Sequence, residues 1–191
     1  MLTPFLKEQL KKNNREIQMK AALILALLLM IIITPSNFNA QDGLKLKEGM
    51  KAPNFNLKDH IGKSYKLSSF KGKSVVVIYF YPKAGTAGCT KQACGIRDDY
   101  SKFKEKNIIV LGISTDSKKE LRRFVREQNL NFPLLSDEKK IVSGKYGVLR
   151  EDGRDRRITF VVDKSGVIVK IIEVSDVTSH ANLVYEIASR L

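Results

Sequence analysis

The sequence predicts an α/β domain with a mixed central sheet and helices on both faces. Two uninterrupted runs of β-branched, aliphatic and aromatic residues, Val75–Tyr81 and Ile108–Ser114, are typical of strands that are covered on both faces. Apolar residues at helical spacing over Thr90–Lys106 separate them, and this β-α-β order predicts parallel strands. Two further β-rich runs within residues 158–174 flank a Gly-containing turn, so they predict an antiparallel hairpin in the same sheet.

The remaining elements follow the same logic of periodicity and turn residues. Short alternating segments at Phe55–Leu57 and Tyr65–Leu67, joined by a turn at Gly62–Lys63, predict two strands. The hairpin strands are Ile158–Val162 and Val167–Val174, around a turn at Asp163–Gly166. The other predicted elements, in chain order, are a helix over Lys118–Asn129, an extended stretch over Phe132–Leu135, a short helix over Lys139–Tyr146 and a last helix from Ser179 to Leu191.

Composition narrows the class of protein. A chain of 191 residues can bury one proper core, and 43% hydrophobic with 28% charged residues is not typical of disorder. The net charge of +14 raises the question of a nucleic-acid or anionic-surface partner. The charges are scattered, and the densest cluster, within 118–126, has the helical spacing of a solvated helix face. We therefore expect no nucleic-acid partner.

The N-terminal region has the proportions of a signal segment. The apolar run Ala21–Ile33 would span about 20 Å as a helix, less than the ~30 Å hydrocarbon core of a membrane. It suits the apolar region of a signal peptide, with Lys20 before it and a Thr-Pro-Ser break after it. Phe38 stands where a small residue should precede a cleavage point after Ala40, so an uncleaved membrane anchor stays open.

These features predict a division into three parts: residues 1–40 as a signal or membrane-anchor segment, 41–50 as a linker and 51–191 as the domain. Residues 1–18 are polar, which suggests that translation begins at Met19. We expect the protein to be exported, to a periplasm or cell envelope, or anchored in a membrane through this segment. A cytoplasmic or organellar location stays open.

The two cysteines of the chain carry its clearest chemical signal. Cys89 and Cys94 lie five positions apart, just after the strand Val75–Tyr81 and where a helix is predicted to begin. Thiolate is the reactive form of cysteine, and a helix N-terminus or a nearby cation favours it. The hydroxyl of Thr86 can hydrogen-bond both the sulfur and an incoming oxygen, and Pro82, which has no N–H, can shape the pocket. This combination indicates a peroxide as the electron acceptor.

The same spacing predicts motion. Oxidation of Cys89 to a sulfenic acid, followed by condensation with Cys94, would give a disulfide and prevent overoxidation. In an intact helix, residues five apart lie roughly 8 Å apart along the axis, whereas a disulfide tolerates Cα separations up to about 6.8 Å. If both cysteines lie on one helix, its first turns must unwind for the bond to form.

Three alternatives to this chemistry remain open. The pair could form a structural disulfide, although so small a loop gives little stabilisation. The chain could be a thioredoxin-like disulfide oxidoreductase, which normally has a Cys-x-x-Cys motif, or a non-enzymatic basic binding domain. A metal site is not expected, because the two histidines lack metal-ligand spacing.

The motif YPKAGTAGCTKQACGIRD, residues 81–98, resembles that of the peroxiredoxin family, specifically the peroxiredoxin Q or bacterioferritin comigratory protein subfamily. The resemblance covers residues 46–190 and implies a thioredoxin fold and a thiol peroxidase acting on hydrogen peroxide and organic hydroperoxides. It implies that Cys89 is the peroxidatic cysteine and Cys94 the resolving cysteine, with Thr86 and Pro82 as active-site residues. It also implies recycling by a thioredoxin-like protein, with no metal, haem or flavin, and we expect a monomer.

The family further implies an arginine beside the thiolate, at the start of a strand of the type Arg-x-Thr/Ser-Phe. Arg157 in the sequence RITF, residues 157–160, matches it. Gly85 and Ala87 depart from the subfamily, which often has aspartate and proline there.

Five other residues receive ordinary assignments. Arg97 is expected in a helix ion pair, and Tyr79 and Phe80 in the core. His60 and His180 are expected at the surface.

Overall fold

The computed structural model describes residues 18–20, which are helical, and residues 45–191. The chain divides into two units, 1–39 and 40–191, and the second contains all the elements described below. The predicted signal or anchor segment therefore lies outside the described residues, apart from 18–20. Among the described residues, no helix combines the length and the apolar character needed to span a membrane.

Within residues 45–191, seven strands form one mixed sheet in the order β2-β1-β5-β4-β3-β6-β7. The strands are β1 (Asn56–Asp59), β2 (Ser64–Lys66), β3 (Val75–Phe80), β4 (Ile108–Ser114), β5 (Leu134–Ser136), β6 (Ile158–Val162) and β7 (Ile168–Glu173). A 3₁₀ turn covers Leu67–Phe70, and the helices are α1 (Ala87–Glu105), α2 (Lys118–Glu127), α3 (Ile141–Lys145) and α4 (His180–Ala188). Strands β3, β4 and β5 run parallel, whereas β6 and β7 are antiparallel to their neighbours. The predicted mixed sheet is confirmed.

The central strand β3 is buried on both faces, as its apolar run predicts. Val77 and Tyr79 belong to the core layer that also holds buried residues of α1, α2 and α4. Ile78 and Phe80 belong to the opposite layer, which includes Val142 of α3. Burial of each such side chain stabilises the fold by about 1.5–3 kcal/mol. Helices therefore cover both faces, and the assignment of Tyr79 and Phe80 to the core is confirmed.

The sheet brings two distant parts of the chain to one edge. The loop between β3 and α1 leaves the carboxyl end of a parallel strand, which is where α/β sheets commonly bind ligands. Strand β6 is antiparallel to β3, with Ile158 paired to Phe80. Arg157, which directly precedes β6, therefore stands at the edge from which this loop departs.

Helix α1 begins three residues earlier than predicted. Thr86 is the N-cap, with extended backbone angles of φ −76° and ψ 151°, and its carbonyl accepts from the Thr90 N–H at 2.8 Å. The first turn therefore already includes Ala87 and Gly88, and Cys89 is its third residue rather than the residue before the helix. Gly88 obscures this start in the sequence because glycine is a weak helix former, although threonine, as at Thr86, is a common N-cap residue.

Candidate active site

The loop between β3 and α1 is anchored to the end of β4 by one buried carboxylate. Asp116 accepts hydrogen bonds from the Ala84 N–H at 2.8 Å, from the Ser114 hydroxyl at 2.9 Å and from Lys83 Nζ at 2.9 Å. Lys83 also bonds Glu120 at 2.7 Å, and these two acceptors, Glu120 first, raise the pKa of the Lys83 ammonium. The path of the loop toward α1 is thus fixed by a side chain that lies two residues after the neighbouring strand β4.

Thr86 and Pro82 both lie on this anchored loop. Thr86 is exposed, and its hydroxyl donates to the Lys83 carbonyl at 3.1 Å rather than capping the helix. A hydroxyl that has donated its hydrogen keeps two acceptor lone pairs, so Thr86 Oγ1 can receive an O–H from a ligand. Pro82 is half-buried two residues after β3 and presents no N–H there.

Cys89 is a free, buried thiol in the first turn of α1, with only 2% of its surface exposed. The Arg157 Nη2 atom donates to its sulfur across 3.3 Å. A guanidinium is permanently charged and can only donate, so this contact suits a sulfur anion and an oxygen that gains negative charge beside it. The structure thus brings together Cys89 and Arg157, which lie 68 residues apart in the sequence.

Arg157 is held in turn by buried polar side chains. Its Nη1 atom donates to Gln92 Oε1 at 2.6 Å, and Gln92 Nε2 lies 3.1 Å from His180 Nδ1. On the other side of the ring, His180 Nε2 lies 2.8 Å from Thr159 Oγ1. Gln92, His180 and Thr159 are each at most 1% exposed. A line of four hydrogen-bonded side chains therefore runs from the Cys89 sulfur into the space between α1, α4 and β6. In order, they are Arg157, Gln92, His180 and Thr159.

The prediction that His180 lies at the surface is wrong. It is the first residue of α4, which packs against α1, and this packing buries its ring. Burial, together with the charge of Arg157, lowers the pKa of His180 to about 4, so the ring is neutral near pH 7. The polar residues before it, Thr178 and Ser179, favour exposure in the sequence, and nothing local shows that the helix turns this ring inward.

Gln92 is not among the residues that the sequence nominates for the site, although the sequence carries a signal for it. It lies three residues after Cys89 on the same helix, and residues at this spacing share a face. A polar side chain among the core-facing positions Cys89, Ala93 and Ile96 requires a buried partner. Arg157 and His180 supply that partner.

Gly88 leaves room for the guanidinium. A Cβ atom at this position would lie 3.2 Å from Arg157 Nη2 and 3.9 Å from its Cζ. The first of these distances is tighter than an ordinary van der Waals contact. The Arg157 guanidinium can therefore pass this close to the first turn of α1 because residue 88 has no side chain.

Cys94 lies on the same helix as Cys89 and faces the end of α2. It is a free, half-buried thiol whose sulfur lies 3.8 Å from the side-chain oxygen of Gln128. Arg97 donates to the Gln128 carbonyl at 2.7 Å and forms the expected ion pair, with Asp98, at 2.8 Å. Both cysteines sit within an unbroken helix, so the condition for which the sequence predicts unwinding is met.

Known proteins are similar to this chain over most of its described residues. A model of the AhpC/TSA family matches residues 49–171. Peroxiredoxin Bcp of Escherichia coli is 43% identical over 147 residues, which covers 73% of this chain and 93% of the relative.

Solved structures agree. The crystal structure of peroxidoxin BcpB from Mycobacterium tuberculosis has a TM-score of 0.70 and 33% identity and covers 76% of this chain and 97% of that one. Bacterioferritin comigratory protein of Xanthomonas campestris, solved as trapped intermediate and ligand complexes, has a TM-score of 0.67 and 27% identity, covering 71% and 90%. Peroxiredoxins have the thioredoxin fold, so the predicted fold class is confirmed. The chain belongs to the AhpC/TSA family and is a thiol peroxidase of the Bcp and peroxiredoxin Q type.

Proposed function

We propose that Cys89 is the peroxidatic cysteine of this thiol peroxidase and that Arg157 activates the reaction. The observation that carries the proposal is the 3.3 Å contact between Arg157 Nη2 and the Cys89 sulfur, at the N-terminal turn of α1. The helix N-terminus and the guanidinium both place positive charge beside the sulfur. Stabilisation of charge that develops in a transition state is commonly the largest catalytic effect in an enzyme.

In the first step, the Cys89 thiolate attacks one oxygen of a hydroperoxide, and the O–O bond breaks. Cys89 becomes a sulfenic acid, and the other oxygen leaves as an alkoxide or hydroxide that takes a proton to become an alcohol or water. Sulfur is oxidised by two electrons and the peroxide is reduced by two. Thr86 Oγ1 accepts a hydrogen bond from the peroxide, and Arg157 stabilises the departing oxygen. Pro82 shapes the wall of the pocket.

In the second step, Cys94 resolves the sulfenic acid. Its thiolate attacks the Cys89 sulfur, a disulfide forms, and the hydroxide that leaves takes a proton to become water. The two sulfurs can meet only after the helix that carries them unwinds locally. The Cys94 thiol must also leave Gln128, which ties α1 to the end of α2.

A dithiol protein of the thioredoxin type then reduces the disulfide and is itself oxidised. Every electron in this cycle travels through sulfur, so the proposal requires no metal, haem or flavin. The substrates are hydrogen peroxide and organic hydroperoxides, and the Xanthomonas relative is described by its alkyl peroxide reduction activity, which supports the organic class. We infer that the enzyme works as a monomer, since both reacting cysteines belong to one helix.

A coupled assay tests the cycle. Peroxide consumption with thioredoxin as reductant is compared between the wild type, Cys89→Ser and Cys94→Ser. Cys89→Ser should lose activity entirely, whereas Cys94→Ser should complete its first turnover and then recycle poorly. Rapid peroxide consumption by the Cys89→Ser variant would refute the role of Cys89.

We further propose that residues 1–40 export the enzyme or anchor it in a membrane. The support is the length of the apolar run Ala21–Ile33 and the lysine before it. Fractionation of cells, with mass spectrometry of the mature N-terminus, tests this proposal. Recovery of full-length protein from the soluble cytoplasm would contradict it, and a peptide covering residues 2–15 would rule out a start at Met19.

A further inference from the structure

The contacts behind Arg157 point to a role for a histidine that the peroxidase chemistry does not use. Only the Nη2 atom of Arg157 contacts the sulfur, while Nη1 is held by Gln92 at 2.6 Å. Gln92 is a long side chain whose terminal amide can rotate and exchange the places of its oxygen and nitrogen. Its hydrogen bond to Arg157 therefore depends on the contacts that fix the orientation of the amide. We infer that His180 is a positioning residue, which orients Gln92 and through it aims the Arg157 guanidinium at the Cys89 sulfur.

The direction of each hydrogen bond follows from donor and acceptor chemistry. A guanidinium can only donate, so the Gln92 atom that faces Arg157 must be the carbonyl oxygen. The amide nitrogen then faces His180 and donates to Nδ1, which must be unprotonated. A neutral imidazole carries its hydrogen on the other nitrogen, so Nε2–H donates to Thr159 Oγ1. One tautomer of His180 satisfies every contact.

This tautomer sets the orientation of the Gln92 amide. If the acceptor at Nδ1 is removed, the amide nitrogen loses its partner in a fully buried position, which favours movement of the Gln92 side chain toward another acceptor. Such a movement would draw Oε1 away from Arg157 Nη1, and rotation of the amide in place would set two donors against each other. Arg157 would then lose the contact that fixes Nη1, and its other nitrogen would no longer be held at 3.3 Å from the sulfur.

The surroundings keep the ring in its accepting form. His180 is 1% exposed, and both burial and the nearby Arg157 charge lower its pKa, to about 4. A protonated ring would present Nδ1–H to the Gln92 NH₂ group and break the line of contacts. The low pKa therefore agrees with the geometry, which carries the inference by itself.

The inference rests on the proposed peroxidase role of Cys89 and Arg157, and a pair of substitutions tests it. His180→Phe keeps a planar ring but removes the acceptor. His180→Asn places an amide oxygen near the position of Nδ1, so it can still accept from Gln92. The other histidine of the chain, His60, lies at the β1–β2 turn, and His60→Asn is the matched control.

The readout is the second-order rate of the first turnover with hydrogen peroxide, with unfolding temperatures measured alongside. A misplacement of about 1 Å costs roughly 100-fold in rate, so an indirect effect through Gln92 should slow His180→Phe by about tenfold. His180→Asn should recover most of that loss, and the control should match the wild type. A wild-type rate in His180→Phe, or a folded His180→Asn that is as slow as His180→Phe, would overturn the inference.

Nitrogen-15 NMR of the histidines in the wild type gives a second test that does not depend on activity or on the folding of any variant. We expect the His180 signals of a neutral ring with its hydrogen on Nε2. Signals of the Nδ1–H tautomer would overturn the inference. Loss of peroxidase function itself is tested separately by Cys89→Ser, which leaves the predicted tautomer unchanged.

Discussion

Replacement of Gly88 by alanine should slow the reaction with peroxide without harming the fold. The glycine lies in the first turn of α1 with an ordinary backbone conformation, so alanine meets no backbone strain there. Alanine is favoured over glycine in helices by up to about 1 kcal/mol. Stability should therefore stay the same or increase.

The effect on rate follows from one distance. The new Cβ would lie 3.2 Å from Arg157 Nη2, whereas ordinary contacts begin at 3.4 Å, so the guanidinium must move by a few tenths of an ångström. If a misplacement of about 1 Å costs roughly 100-fold, a shift of ~0.2–0.4 Å costs about three- to sixfold. Nη2 is the atom that contacts the Cys89 sulfur, so the shift acts directly on the reacting pair.

The assay is stopped-flow oxidation of the reduced enzyme by hydrogen peroxide, together with thermal unfolding. Gly95→Ala is the matched control, because it lies on the same helix and its Cβ would meet only the Ala181 Cβ, at an ordinary 3.7 Å. It should raise stability similarly and leave the first turnover unchanged. The reasoning requires the Arg157 guanidinium to lie close against Gly88. A wild-type rate of the first turnover in Gly88→Ala, or an equal loss of rate in both variants, would refute it.

Two other predictions test the charge beside the sulfur and the pH dependence of stability. Arg157→Gln removes the charged donor at the sulfur and should slow the first turnover by about 10²–10³-fold, and a loss below tenfold in stopped-flow would contradict its role. Burial raises the pKa of Asp155 from 3.8 to about 8, so the folded protein retains a proton that the unfolded chain releases, and stability falls as pH rises through that window. Between about pH 5 and about pH 8, the unfolding temperature of Asp155→Asn should fall less than that of the wild type. An equal fall in unfolding temperature in the two proteins would refute this.

The sequence predicts well what depends on neighbouring residues. The strand Val75–Phe80 is apolar at every position and is buried on both faces, which its pattern indicates directly. The hairpin turn also matches, with Asp163 N–H donating to the Val167 carbonyl at 2.9 Å and Gly166 at a φ of 86°. Here local chemistry and final structure agree.

Contacts between distant segments are harder to predict. Family resemblance nominates Arg157, but no local pattern places it against Cys89, since the register of β6 on β3 sets that distance. Asp116, which anchors the active-site loop, follows β4 and shows its role only when the loop lies beside it. His180 is buried by the packing of α4 on α1, which its own sequence neighbours do not indicate.

The central claim is that the Cys89 sulfur is the atom that peroxide oxidises. Mass spectrometry of the Cys94→Ser variant, treated with one equivalent of hydroperoxide and a sulfenic-acid trap, tests it most directly. We predict that the trap labels Cys89, and that the wild type instead yields a Cys89–Cys94 disulfide. An unlabelled Cys89 in a protein that has consumed the peroxide would contradict the account.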